Sequence, residues 1–283
     1  MYTQSITRTH RTAFVLAVDC SGSMTEPVTF NRRTMSKAAA VAMVTNRLLF
    51  ELTERARRSE GIRDYYDVAV LGYSGEGVQS LLGEQEAIYS IAQIAQKGAA
   101  TPASQREYRL PDGSAALLDE VGIPTWVTPE AHGETPMYEA LLHVRDLVGR
   151  WIMQPDHAES FPPIVFNITD GESSDCDEVE LRGVCQQIRT QHTNDGEVLL
   201  INIHIASGTN TEALIFPTAD QTFYGNRYAS LLYDCSSEMP AAFEAVIREI
   251  RGGIPPFRGM SYNASIAELV SVLNIGSISL KTE

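Results

Sequence analysis

The chain has 283 residues, of which 43% are apolar and 20% are charged, as is typical of a globular protein that can bury a substantial core. Its 36 acidic residues outnumber the 22 basic ones and give a formal net charge of −14. This balance argues against binding to nucleic-acid phosphates or to an anionic membrane surface, and it is compatible with cation binding or with a basic patch on a partner.

The first part of the chain alternates short apolar runs with a long helical pattern. Ala13–Val18 predicts a buried strand, and a polar loop follows it. From Met35 to Ala56, apolar residues recur at steps of three and four, which predicts a long amphipathic helix. Asp67–Tyr73 then predicts a second strand. Because strands and helices alternate, we expect an α/β fold with a doubly wound, mostly parallel sheet and helices on both of its faces.

The regular pattern is interrupted between residues 75 and 132. This segment contains a short apolar piece (Val78–Leu82), a predicted helix (Glu84–Lys97) and a stretch around Pro111–Gly113 that holds proline and glycine. Structureless loops of this length are uncommon in compact domains. We therefore expect an elaborated insertion within a single domain that covers residues 1–283, and the sequence leaves the fold and the role of the insertion open.

Regular elements return after the insertion. Thr135-Pro136 combines a hydroxyl N-cap with a proline at the first helical position, and it predicts a helix that continues to Trp151. The remaining predicted elements are a strand at Ile164–Thr169, a helix that an Asp175/Glu178 capping box opens and that runs to His192, a strand at Val198–Ala206, an apolar piece at Leu231–Ser236, a helix at Pro240–Arg251 and a last helix within Asn263–Gly276.

Oxygen-bearing side chains follow two of the predicted strands. Asp19 ends the first strand and is followed by Ser21 and Ser23, Asp170 ends a later strand, and Thr135 opens a helix. In open parallel sheets, ligands bind outside the carboxyl ends of the strands, where these five side chains can converge. Oxygen donors select hard cations such as Mg²⁺, Mn²⁺ or Ca²⁺ over zinc. Since three of the five donors are neutral hydroxyls, a divalent ion bound here can still attract a further anion.

These segments resemble a known metal site. The stretches Asp19-Cys-Ser21-Gly-Ser23, GETPMYEAL around Thr135 and ITDGESSD around Asp170 are similar, in order and in structural position, to the three parts of the metal-ion-dependent adhesion site (MIDAS) of von Willebrand factor A (vWA) domains. The resemblance implies a vWA fold with an intact site. Both serines and the threonine would bind Mg²⁺ directly or through water, as would the two aspartates, and an acidic residue of a partner protein would complete the shell.

The resemblance also implies a function, that of a Mg²⁺-dependent protein–protein interaction module without catalytic activity. Residues beside the five ligands are then expected to contact the partner, namely Gly22, Met24, Glu134, Gly171 and Glu172. The tail stretches LLYDCSSEMP and RGMSYNASIAELV resemble cytoplasmic bacterial members of the family, whereas the segment 75–132 departs from the family's short connection. Such relatives often accompany a serine/threonine kinase, a metal-dependent protein phosphatase or a MoxR-type AAA+ ATPase in stress, tellurite-resistance-like, defence or signalling systems, and we expect a similar setting.

Other hypotheses remain open. A Mg²⁺-dependent hydrolase or phosphatase would use Asp19 and Asp170, but the haloacid-dehalogenase pattern needs an aspartate where Ser21 stands, and no lysine or arginine lies in the motifs. A metal-free scaffold, in which the serines are only turn residues, is another. Cys20 lies inside the motif, but no histidine is tied to it by a recognisable motif, which favours a small residue packed beside a buried strand.

The sequence also bears on the location of the protein. The N-terminal stretch MYTQSITRTHRT lacks the apolar region of a signal peptide, and no apolar run approaches the roughly 18–20 residues that span a bilayer. The four cysteines show neither a C-x-x-C pair nor the spacing of a zinc site, which suggests free thiols in a reducing compartment. We therefore expect a cytoplasmic protein that binds no membrane, and the sequence leaves its oligomeric state open.

Overall fold

The computed structural model describes residues 2–30, 33–83, 88–99, 104–109, 115–120, 122–206, 213–219 and 226–278. In these ranges the strands are β1 (Thr12–Asp19), β2 (Pro27–Phe30), β3 (Arg33–Ser36), β4 (Arg57–Arg58), β5 (Gly61–Ile62), β6 (Tyr66–Ser74), β7 (Gly77–Ser80), β8 (Tyr89–Ser90), β9 (Ser104–Arg109), β10 (Ala115–Glu120), β11 (Ile164–Thr169), β12 (Leu199–Ile205), β13 (Leu214–Ile215) and β14 (Met260–Ala264). The helices are α1 (Lys37–Ala56), α2 (Ile91–Lys97), α3 (Met137–Ile152), α4 (Glu178–Arg189), α5 (Arg227–Cys235), α6 (Ala241–Arg251) and α7 (Ile266–Ile278), with short 3₁₀ turns at Gly22–Thr25 and Pro155–His157. None of these helices combines the length and the apolar character that crossing a membrane requires.

One mixed sheet forms the centre of the fold. Its strands lie in the order β13-β14-β12-β11-β1-β6-β7, and β8 also pairs with β6. The pairs β14–β12, β12–β11, β11–β1 and β1–β6 are parallel, whereas β7, β8 and β13 pair antiparallel with their neighbours. A mostly parallel sheet with helices on both faces confirms the predicted α/β fold class.

Strand β1 lies in the middle of this sheet and is buried along its whole length. Phe14 and Leu16 pack on the face that α1, α2, α6 and α7 cover. Val15 and Ala17 pack on the opposite face, against α3, α4 and α5. A strand that is buried on both faces shows no polar alternation, so the run stays apolar until the chain reaches the edge of the sheet at Asp19.

The order of the strands reverses beside β1. From β1 the chain passes through α1 to β6 on one side, and it later returns through α3 to β11 on the other side. A crevice for ligands forms at such a reversal, outside the carboxyl ends of the strands. Asp19 is the last residue of β1 and Asp170 directly follows β11, so both aspartates lie at this reversal.

Parts of the 75–132 segment extend the central fold. β7 and β8 pair with β6, and α2 packs on α1. The side chain of Asn46 on α1 fixes the returning chain: its Nδ2 donates to Val127 O (2.8 Å), and its Oδ1 accepts from the backbone N–H groups of Trp126 and Val127 (both 2.9 Å). β9 and β10 form a separate antiparallel hairpin, and the stretch 111–113 lies outside the described residues. That the whole chain is one domain stays a prediction.

The predicted helix at Glu84–Lys97 is wrong at its start. Residues 84–87 lie outside the described ranges, β8 follows, and α2 begins only at Ile91. Ser90 explains the later start, because its hydroxyl accepts from the backbone N–H of Gln93 while the Gln93 side chain accepts from Ser90 N, which is a capping box.

Other boundaries also differ from the prediction, and the long helix α1 begins at Lys37 because Met35 belongs to strand β3. Met260–Ala264 is a strand because its backbone pairs with β12, and the last helix therefore begins at Ile266 instead of Asn263. α4 ends at Arg189 instead of His192. The apolar piece that includes the sequence LLYDCS mostly belongs to α5.

Candidate metal centre

The carboxylate of Asp19 is held at the sheet edge by two hydrogen bonds. Its Oδ1 accepts from the backbone N–H of Ser21 (2.8 Å), and its Oδ2 accepts from the hydroxyl of Thr169 (2.8 Å). Burial raises the pKa of Asp19, and hydrogen bonds from Ser21 and Thr169 offset part of that rise. Because the pKa of this carboxyl is higher in the folded than in the unfolded chain, its contribution to the stability of the fold is present at pH values below the unfolded pKa. This contribution is lost as the pH rises through the folded pKa. A cation beside the ionised carboxylate would therefore stabilise the fold.

Two serine hydroxyls connect this turn to the next strand. The short 3₁₀ turn after β1 brings Ser21 Oγ to 3.0 Å from Ser23 Oγ. Ser23 Oγ in turn donates to Asp170 Oδ1 at 2.6 Å. Ser21 is buried, whereas Ser23 is exposed. A row of oxygen atoms therefore runs from the end of β1 to the end of β11 and opens to solvent at Ser23.

Backbone hydrogen bonds bring the loop that contains Thr135 to the same edge. Gly22 N donates to Gly133 O (2.9 Å), and Ser174 N donates to Thr135 O (3.0 Å). The loop also passes very close to the strand end at Gly75: a Cβ on Gly133, whose φ is +71°, would lie 2.7 Å from the backbone of Gly75. The structure therefore brings all three predicted segments together, and Thr135 is nearly buried among them.

The predicted capping role of Thr135 is wrong. α3 begins at Met137, and the residue before the helix, Pro136, makes no side-chain capping bond. Asp175 caps this helix from another loop instead, because its carboxylate accepts from the backbone N–H groups of Tyr138 (3.1 Å) and Glu139 (2.9 Å). The predicted Asp175/Glu178 capping box is therefore also wrong. Asp177 and Glu180 form the capping box that opens α4.

Lys37 is a part of the centre that the motifs do not contain. Its Nζ lies 2.8 Å from Asp170 Oδ2 and 2.7 Å from Glu26 Oε2, and its side chain is completely buried. The hairpin of β2 and β3 explains this proximity: Pro27 pairs with Ser36, so Glu26 and Lys37 are neighbours at the base of the hairpin. The only signal in the sequence is a lysine at the first position of a helix, where the helix dipole disfavours a cation.

Two hydroxyl-bearing residues at the centre were also missed by the sequence analysis. Thr169, the last residue of β11, donates to Asp19 and bonds with the backbone of Gly171. Tyr228, at the start of α5, donates to Gly171 O at 2.5 Å. Both orient the chain directly after Asp170. No pattern in the sequence connects Tyr228 with this loop, since the two are brought together only by the tertiary fold.

Four of the five residues that were predicted to contact a partner are accessible. Glu134 and Glu172 are exposed, and Gly22 and Gly171 are half-buried. Met24 is not accessible: its side chain is fully buried in the core cluster on the α1 side of the sheet. The prediction for Met24 is corrected accordingly, because the turn after β1 directs its one large apolar side chain inward.

The thiol of Cys20 has no features of a nucleophile. It is buried, and burial together with the nearby Asp19 raises its pKa to about 12, so it is protonated at neutral pH. Cys20 contributes a backbone bond instead, since its carbonyl accepts from His132 N (2.8 Å) and helps to hold the loop before Thr135. All four cysteines are free.

The oxygen atoms of this edge fit a hard cation better than a soft one. Among the described residues, no three His, Cys, Asp or Glu side chains are grouped so that they could hold a metal ion. A centre here must therefore use hydroxyls. Adjacent ligands of an octahedral Mg²⁺, each about 2.1 Å from the ion, lie roughly 2.9 Å apart. The two serine hydroxyls are 3.0 Å apart, which is close to that spacing, whereas the 2.6 Å between Ser23 and Asp170 is the length of a hydrogen bond.

No model of a protein family matches the sequence, and no curated protein matches it. A solved structure of a von Willebrand factor type A protein from Catenulispora acidiphila is 16% identical with a TM-score of 0.42; the match covers 70% of this chain and 34% of that one, so this chain spans about a third of that chain's length. The manganese-loaded TRAP protein of Plasmodium vivax is 16% identical with a TM-score of 0.43, and the match covers 94% of this chain and 72% of that one. The VWA domain of SpRpn10 is 9% identical with a TM-score of 0.39, and the coverage is 70% and 77%. Likeness of this degree assigns neither a site nor an activity to this chain.

Proposed function

We propose that the chain is a Mg²⁺-dependent protein-binding module of the vWA type. Asp19, Ser21, Ser23, Thr135 and Asp170 would hold the ion, and a carboxylate of a partner protein would complete its shell. The observation that carries this proposal is the contact of Ser21, Ser23 and Asp170 through their side-chain oxygens at the reversal point of the sheet. Mn²⁺ and Ca²⁺ are the alternative ions, and oxygen ligands suit all three.

The charge of the centre supports an anionic ligand. Two carboxylates face the ion, and one of them is already paired with the buried ammonium of Lys37. A divalent ion in this place keeps an uncompensated positive charge, which attracts a carboxylate more strongly in a partly desolvated site than in water. Ser23 is exposed, so the open side of the ion faces solvent and can be reached by a partner.

The rim of the centre defines the chemistry of the partner further. Glu134 and Glu172 are both exposed beside the proposed ligands, and the chain as a whole has a net charge of −14. A wholly acidic partner surface would be repelled. The partner that fits is one whose single acidic side chain is surrounded by lysines or arginines.

The setting is proposed from the resemblance of the sequence to cytoplasmic bacterial vWA proteins. We infer that the chain works within a multiprotein stress, defence or signalling system that also contains a kinase, a phosphatase or a MoxR-type ATPase. Its role there would be to hold a partner in a metal-dependent way.

An enzymatic role, as a Mg²⁺-dependent phosphatase or other hydrolase, is the weaker candidate. The haloacid-dehalogenase pattern needs a second aspartate two residues after Asp19, and Ser21 stands there. We therefore propose that the chain has no catalytic activity. Turnover of a phosphoester panel that is lost in Asp19→Ala would overturn this proposal.

The proposed function is tested by capture from native lysate with and without a chelator. Asp19→Ala and Thr135→Ala should abolish Mg²⁺ binding, measured by calorimetry, and should abolish capture while the fold is kept. Asp177→Asn is the matched control: it removes an exposed carboxylate seven residues after Asp170, and asparagine is still a good helix cap there. Capture of the same proteins with and without chelator would contradict metal-bridged binding.

A further inference from the structure

The position of Lys37 is unfavourable for its helix. It is the first residue of α1, where the partial positive charge of the helix N-terminus favours acidic side chains. Its side chain is completely buried, and a buried ammonium needs paired charges around it. Glu26 and Asp170 supply these charges at 2.7 and 2.8 Å. The lysine is therefore held in place by Asp170, a carboxylate of the candidate centre, and by Glu26 beside it.

Lys37 contacts one of the proposed metal ligands, Asp170. Asp170 Oδ2 contacts Lys37, while Asp170 Oδ1 contacts Ser23. Glu26, which also pairs with the lysine, has a side chain that is 50% exposed, so water screens its charge. Inside the centre, the ammonium thus cancels about one of the two carboxylate charges available to an ion.

Resting on the proposed function, we propose that Lys37 makes ion binding depend on the acidic ligand. Repulsion between the ammonium and a divalent ion lowers the affinity of the free centre for Mg²⁺ or Mn²⁺ alone. A carboxylate from the partner restores the missing negative charge, so the ion and the acid bind together. By linkage, the ion then raises the affinity for the acid by the same factor by which the acid raises the affinity for the ion. Lys37 is thus a specificity-determining residue for an ion–carboxylate pair.

The experiment is a titration of the metal-free chain with Mn²⁺, in which free Mn²⁺ is followed by electron paramagnetic resonance. Acetate stands in for the partner's carboxylate, and ionic strength is held constant. In wild type, we expect acetate to tighten Mn²⁺ binding about tenfold, a factor within the usual range of coupling between sites. Lys37→Met should bind Mn²⁺ alone about tenfold more tightly than wild type, so that it reaches without acetate the Mn²⁺ occupancy that wild type reaches only with acetate. Lys37→Arg, which keeps the charge, should behave like wild type.

A second variant and a second readout keep the test independent of folding. Lys37→Gln is neutral but can still donate a hydrogen bond to Asp170, and it should follow Lys37→Met. Mn²⁺ should also raise the melting temperature of both neutral variants more than that of wild type. If both bind Mn²⁺ alone no more tightly than wild type, Lys37 is only structural and the inference is wrong.

The outcomes also separate this inference from the proposed function. Unchanged affinities in the Lys37 variants, together with Mn²⁺ binding that is lost in Asp19→Ala, would overturn the inference and leave the proposed function in place. If wild type binds no Mn²⁺ with or without acetate, both are overturned.

Discussion

The sheet buries carboxylates at both ends of its parallel strands, and the surroundings of Asp67 at one end and Asp170 at the other are opposite. Asp67, near the start of β6, accepts hydrogen bonds from Trp151 Nε1 (2.9 Å) and Arg11 Nη1 (3.2 Å), and His157 Nε2 lies 3.8 Å away. Asp170, at the other end, faces the hydroxyl of Ser23 and one ammonium. The N–H groups around Asp67 cannot coordinate a metal ion, whereas the hydroxyl oxygens in the row beside Asp170 can coordinate a hard cation. Burial of a carboxylate alone therefore does not indicate a metal site, and the type of neighbouring atoms does.

Side chains at the Asp67 end also pack on one another, beside a cavity of about 840 Å³ that Asp67, Arg11, Trp151 and His157 line. The rings of Trp151 and His157 stack with centroids 3.9 Å apart, and His157 Nδ1 lies 2.8 Å from Trp151 O. Arg11 reaches this carboxylate from the segment before β1, so the network ties the N-terminal segment to the end of α3. We interpret the Asp67 end as structural, in contrast to the Asp170 end.

The largest effect is expected for Lys37→Met in metal-free buffer. The substitution leaves Asp170 buried without its ammonium, and breaking a buried ion pair in this way costs about 3–5 kcal/mol of the free energy of unfolding. Urea unfolding measures the loss. Addition of Mn²⁺ should recover a large part of it, and Lys37→Arg should lose less. A loss below about 1 kcal/mol would show that the ion pair does not hold this edge together.

At the other end, Asp67→Asn should cost about 1.5–3 kcal/mol, since the hydrogen bonds from Arg11 and Trp151 lose the charge of their acceptor. Urea unfolding again measures the loss. Affinity for Mn²⁺ should not change, because this carboxylate lies at the opposite end of the sheet. A tenfold change in Mn²⁺ affinity would contradict the interpretation that the Asp67 end is only structural.

Gly133→Ala tests whether the loop before Thr135 must be placed closely. The glycine has a positive φ, and a Cβ there would lie 2.7 Å from the backbone of Gly75, so we expect a cost of about 1–3 kcal/mol and weaker Mn²⁺ binding. Gly183→Ala is the matched control, because this glycine lies in α4 with nothing within 4 Å of an added Cβ. The control should be neutral or stabilising. Equal Mn²⁺ affinity in both variants would remove the loop from the centre.

The smallest effect is expected for Asp175→Ala, which removes the cap of α3 and should cost about 1 kcal/mol. Asp177→Ala removes the cap of α4 and should cost a similar amount. Thermal unfolding compares the two. Only Asp175→Ala should also weaken Mn²⁺ binding, because Asp175 lies in the loop whose backbone holds Thr135. If the two variants bind Mn²⁺ alike, the capping of α3 does not position Thr135.

The fold class could be predicted from the sequence because the central strands are buried on both faces. An unbroken apolar run such as β1 has few alternative interpretations, and the aspartate that ends it marks the sheet edge. Asp19, Ser21 and Ser23 were readable as well, since they are close in sequence. The pairing of that turn with Asp170 was predictable from the topology alone, because parallel strands place their carboxyl ends together.

The positions of Lys37 and Tyr228 at the centre could not be predicted from the sequence, for two physical reasons. Lys37 reaches Asp170 only because a hairpin of β2 and β3 separates it from the turn after β1 and returns it to the same edge. Tyr228 reaches Gly171 from a helix more than fifty residues away. The prediction for Met24 was wrong for the opposite reason. Met24 lies close to the motif in sequence, which suggested a surface position, but its apolar side chain is buried. Contacts made through tertiary structure leave no periodic or local pattern.

The most direct test of the central claim is a crystal structure of the chain grown with Mn²⁺, in which anomalous scattering locates the ion. We predict one peak at the end of β1 and β11, within about 2.0–2.3 Å of the hydroxyls of Ser21 and Ser23, and its loss in Asp19→Ala. Absence of a peak at this edge, or a peak that persists in Asp19→Ala, would contradict the account.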